Sequence, residues 1–148
     1  MTTPREPDSD VVATVEQLPE PECWNRLASG QVGRVGLLVD GAVEVLPVNY
    51  ALDGRSIVFR TAEGTALTEA SMAVVAFEVD RIDETTQEGW SVLVQGFARD
   101  LGDAIGANAE RIRRLPLVTW APGSRPRWFQ IEPGKITGRR IRVLPASL

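Results

Sequence analysis

The strongest constraint on the fold is a pair of Asp-Gly steps, Asp40-Gly41 and Asp53-Gly54, set in GRVGLLVDGAVEVLPVNYALDGRSIVFRT. β-Branched and aliphatic residues flank each of them, and Asp-Gly supplies the positive φ that a tight hairpin turn needs. The stretch from about 34 to 61 therefore reads as three strands of an antiparallel meander. Pro47 lies inside the second strand, where its missing N–H suits an edge, a bulge or a barrel corner.

The remaining elements are placed around that meander. Residues 1–14 are rich in Pro, Asp, Thr and Ser and read as a flexible tail, leaving 15–148 as one domain with a single core. PEPECWNRLAS, from Pro19 to Ser29, reads as a helix with prolines and glutamates in its first turn and Gly30 as its C-cap. Trp24 and Leu27 share its buried face. After Thr65 a short helix through about Ala70 leads into MAVVAFEVD, whose near-continuous apolar run predicts a strand buried on both faces. DRIDETTQEG is a polar connection. GWSVLVQGFARDL alternates cleanly, with Trp90, Val92, Val94, Gly96 and Ala98 on one face, and Gly96 marks a bulge or a close backbone approach. Residues 103–114 read as a helix with Ile105, Ala109 and Ile112 on one stripe. RWFQIEPGKITGRRI reads as a last hairpin around Pro133-Gly134. The sum is a mainly β, α+β protein: six to seven mostly antiparallel strands closed into a small barrel, with two or three short helices.

Composition removes several function classes. The chain has no histidine, which rules out a Ser-His-Asp triad and histidine-ligated zinc or haem, and no metal site is expected. A formal net charge of -4 argues against a nucleic-acid partner. The lone cysteine, Cys23, forbids an internal disulfide and fits a reducing compartment. No stretch reaches the ~20 apolar residues of a membrane span, and MTTPREPDSD lacks the apolar core of a signal peptide. A cytoplasmic protein without a membrane partner is expected.

The candidate site lies in IVFRTAEGTAL, where an apolar strand ends in Arg60 and Thr61 and is followed by Gly64, Thr65 and a helix start. Two readings are open: a solvated loop, or an anion site in which a guanidinium, hydroxyls and a helix N-terminus converge on phosphate oxygens.

In order and spacing, VGRVGLLVDGAVEVLPVNYALDGRSIVFRT, EGTAL, AFEVD, GWSVLVQG and the Trp-rich end leading to ITGRR resemble the pyridoxamine 5'-phosphate oxidase-like family of flavin-binding split barrels. The likeness spans roughly residues 23 to 141. It implies a homodimer that holds FMN in a groove between subunits. By the same resemblance Arg60 and Thr61, beside Gly64 and Thr65, grip the phosphate, while Pro47, Val48 and Asn49 run under the isoalloxazine. Trp90, Ser91 and Val92 meet the flavin or its tail, and Trp120 and Arg125 reach across the dimer. Many members carry a lysine where this chain has Ala66, which weakens the expected hold on FMN and leaves a deazaflavin, or no cofactor, as alternatives. The function expected is an FMN-dependent oxidoreductase of unknown substrate. A flavin or deazaflavin carrier without turnover and a cofactor-free structural dimer are its rivals, since no paired carboxylates or nucleophile stand out.

Overall fold

The computed structural model describes residues 11–62, 72–102 and 104–145. In chain order its elements are β1 (Val11–Leu18), α1 (Glu20–Ala28), β2 (Val32–Val39), β3 (Ala42–Asp53), β4 (Ser56–Thr61), β5 (Met72–Asp83), β6 (Glu88–Asp100), α2 (Ala107–Arg113) and β7 (Arg127–Pro145). All pairings are antiparallel, in the order β1-β7-β4-β3-β2-β5-β6, and a further β6–β7 ladder closes the sheet into a ring. This is the split-barrel architecture expected from the sequence, with seven strands and two helices among the described residues.

Both Asp-Gly turns form. Asp40 (φ 48°) and Gly41 (φ 81°) take positive φ together, as a type I′ turn requires, and Val39 pairs with Ala42 across them. In the second turn only Gly54 (φ 58°) does, and Asp53 pairs with Ser56. Phe59 stacks on Phe129 at 5.4 Å, and Tyr50 meets Phe77 edge-on at 5.1 Å, within a core of Val35, Ile57, Val92, Val94 and Ile131. Helix α1 adds Cys23 and Leu27 to this core, and the Tyr50 hydroxyl donates to the Leu27 carbonyl. A smaller cluster forms where α2 and the segment after it cover the outer face, Ile112, Leu115 and Leu117 packing on Val58 and Trp128.

Several expectations are corrected. Strand β1 begins at Val11, inside the segment read as tail, because β7 is long enough to offer its C-terminal half as a partner from Val11↔Pro145 to Leu18↔Gly138. Pro133-Gly134 is not a turn. It sits at the irregularity between Gln95 and Gly96 inside one continuous β7, where a Cβ on Gly96 would lie 2.1 Å from the Glu132 carbonyl oxygen. Helix α1 ends at Ser29 in the αR conformation, and Gly30 is needed for a different reason: a Cβ there would stand 2.5 Å from the Tyr50 hydroxyl. Strand β5 is not buried on both faces, since Val75, Phe77 and Val79 point inward while Val74 is 72% exposed. Ile105 lies before α2 and is 92% exposed. The expected helix after Thr65 falls outside the described residues.

Candidate functional site

Strands β3 and β4 pair only from Tyr50↔Phe59 to Asp53↔Ser56. Beyond Phe59, β4 runs on to Thr61 against β7 alone, while residues 42–49 of β3 stay with β2. The ladder therefore opens into a split. Pro47 sits on its β3 wall opposite Arg34, in keeping with a strand position that needs no N–H on the open side.

The split holds a cavity of about 200 Å³ lined by Pro47, Val48, Asn49, Arg60, Thr61 and Arg125. Six of the residues named from the sequence are thus brought together. Gly64 and Thr65, like Ala66, lie outside the described residues. Strand alternation sends Arg60 and Thr61 to opposite faces. Arg60 lies on the outer face, 4.8 Å above the Trp128 ring, where its Nε donates to the Arg125 carbonyl (3.0 Å) and its Nη1 to the Leu117 carbonyl (3.3 Å). Two of its five N–H groups thereby hold the late loop, and the others have no acceptor among the described residues. Asn49 holds the same loop, since its Oδ1 accepts the Trp120 N–H at 2.8 Å while its Nδ2 donates to the Gln31 carbonyl. The Trp120 side chain is 67% exposed and faces a neighbouring cavity with Gly30, Gln31 and Arg81.

Thr61 turns inward, following Phe59. It is only 7% exposed, and its hydroxyl has no hydrogen-bond partner among the described residues. Leaving a buried hydroxyl unpaired costs about 1–3 kcal/mol, so such atoms are few in native folds. The other buried side-chain atom without a partner among the described residues is Arg127 Nε, and Arg127 is the cross-strand neighbour of Thr61 on β7. Sequence reading passed over Arg127, because only the strand pairing brings it to Thr61.

The remaining named residues lie elsewhere in the chain. Val92 is fully buried and points into the core. Trp90 carries the Arg26 guanidinium at 5.3 Å and lines separate clefts with Arg139, Arg140 and Ile141, and Ser91 shares one of these and a larger groove beside Glu78. On the outer sheet face Arg34, next to Pro47, is 3.2 Å from Asp80 and 3.5 Å from Glu78. Burial, then hydrogen bonding and repulsion from Asp80, push the Glu78 carboxyl up to about 7 despite Arg34. At the other end of that face Leu38, Val43, Val45, Val74 and Phe97 form an exposed apolar patch.

Chemically, the split offers an apolar strand wall, two guanidinium groups without acidic partners among the described residues, and a buried hydroxyl seeking a partner. These suit a flat ring carrying an anionic tail. No group of three or more potential metal ligands occurs among the described residues, and none of their helices is long and apolar enough to cross a membrane.

Residues 19–140 match the pyridoxamine 5'-phosphate oxidase family. An uncharacterized protein of Mycobacterium tuberculosis is 34% identical over 133 residues, covering 86% of each chain. The structure of the FAD-binding protein of Mycobacterium smegmatis is 37% identical, with a TM-score of 0.69 over 85% of this chain and 97% of that one. An FAD-binding protein of Mesorhizobium loti, 23% identical with a TM-score of 0.68 over 88% and 99%, shares the fold.

Proposed function

Because the chain belongs to the pyridoxamine 5'-phosphate oxidase family, we propose that it binds a flavin nucleotide in the split between β3 and β4. The observation that carries this reading is the buried, unpartnered Thr61 hydroxyl at the wall of a cavity shared with Arg60 and Arg125. A flavin phosphate supplies the acceptor that Thr61 lacks, and the two guanidinium groups offset its charge. In this reading the Pro47–Asn49 edge of β3 runs beside the isoalloxazine, the part of the cofactor that carries the electron chemistry. FMN is the smallest flavin that meets these demands. The FAD-binding relative from M. smegmatis makes FAD the companion candidate.

About 200 Å³ falls short of the ~300–1,000 Å³ of pockets that enclose a ligand of this size. A second copy of the chain completes the wall in this reading. The apolar patch around Val43, Val45 and Val74 suits a homodimer, as does the Arg34, Glu78 and Asp80 group, whose mixed charges can meet their own image across a two-fold axis. An oxidoreductase acting on a small molecule is the activity that follows.

One observation favours a second reading, a cofactor-free dimer: Arg60 already holds two loop carbonyls and stacks on Trp128. Equilibrium titration of the purified chain with FMN, FAD and riboflavin separates the two. Selective binding of the phosphate-bearing flavins supports the flavoprotein, and absence of binding by all three supports the empty dimer.

A further inference from the structure

Thr61 Oγ1 and Arg127 Nε share a setting as well as a lack of hydrogen-bond partners among the described residues. They belong to directly opposed residues of β4 and β7, whose side chains project from the same face with Cβ atoms ~5 Å apart. Arg127 is itself anchored, donating through Nη2 to Asp100, whose side chain is 7% exposed. That ion pair holds the guanidinium at Nη2, and Nε has no acceptor among the described residues. The Thr61 hydroxyl does not supply one, since no hydrogen bond joins the two.

Two unsatisfied polar atoms side by side cost more than the fold gains from either, unless one acceptor serves both. An N–H and an O–H on directly opposed residues can be served together by one oxygen with several lone pairs. Arg60 and Arg125 line the split beside Thr61 and have no acidic partners among the described residues, which favours an anionic oxygen over a neutral one. From this geometry we propose that Arg127 is a phosphate-binding residue, its Nε–H and the Thr61 hydroxyl forming a two-point clasp on one phosphate oxygen. The clasp rests on the flavin-nucleotide reading of the split and adds to it a residue on a different strand. Asp100 acts through Arg127 as a positioning residue.

The test compares wild type, Arg127→Lys, Thr61→Val and the double variant. Lysine keeps a cation for Asp100, so the fold is spared the uncompensated buried charge that alanine leaves, but it has no Nε–H fork. FMN affinity should fall at least about ten-fold in Arg127→Lys while riboflavin affinity changes less than about two-fold. The double variant should lose little more than either single one, because the two groups hold the same oxygen. Unchanged FMN affinity in a folded Arg127→Lys overturns the clasp and leaves the flavin reading standing. If the wild type binds neither flavin, that reading falls, and orthophosphate decides the clasp. Phosphate-induced thermal stabilisation that disappears in Arg127→Lys upholds it, and no stabilisation of the wild type refutes it.

Discussion

Replacing Thr61 by valine should make the ligand-free protein more stable and a flavin phosphate harder to hold. Valine matches threonine in shape and suits a strand, so the change removes little besides the hydroxyl. That hydroxyl is buried without a partner among the described residues, and its desolvation costs about 1–3 kcal/mol. At about 2–4 °C per kcal/mol for a chain of this size, the apo melting temperature should rise by roughly 2–12 °C. In the complex the same atom donates to a phosphate, a charge-assisted bond of about 1.5–3 kcal/mol, so FMN affinity should drop roughly ten- to hundred-fold. Thermal unfolding without ligand and fluorescence titration with FMN give the two numbers. Opposite signs are the signature of a polar atom kept for a ligand. A Thr61→Val protein that is less stable, with FMN affinity unchanged, would refute the reasoning.

Other outcomes follow from the same geometry. Glu78 has a folded pKa near 7, above its ordinary 4.5, so folding takes up a proton in that window and stability declines as pH rises from about 4.5 through about 7. Glu78→Gln should flatten that decline, as thermal melts at several pH values will register. Gly96→Ala drives a Cβ to 2.1 Å from the Glu132 carbonyl oxygen at the seam that closes the barrel, and should destabilise the fold by at least about 1–3 kcal/mol in denaturant unfolding. Val74→Glu places a charge on the exposed apolar patch, so sedimentation should show the proposed homodimer weakened, with the monomer fold unchanged in circular dichroism.

What the sequence made legible was local. The Asp-Gly turns, the inward face of β6 and the tight place at Gly96 depend on neighbours in the chain or on strict alternation. What it hid depends on partners far along the chain. Pro133-Gly134 looks like a turn until β6 is seen pairing on both sides of it, and Val74 looks buried until the strand order leaves its outer face uncovered. In the site, the residue pattern pointed to Arg60 and Thr61, and the family resemblance added Pro47, Val48 and Asn49. That Arg60 and Asn49 also hold the late loop, and that Thr61 faces Arg127, came only from the strand pairings and loop contacts.

The central claim is that the split between β3 and β4 is a flavin-phosphate site. Its most direct test is the affinity of the purified wild-type chain for FMN, FAD and riboflavin, measured side by side at one ionic strength. The account predicts at least about ten-fold tighter binding of a phosphate-bearing flavin than of riboflavin. Equal affinity for riboflavin, or no binding of any flavin, would contradict it.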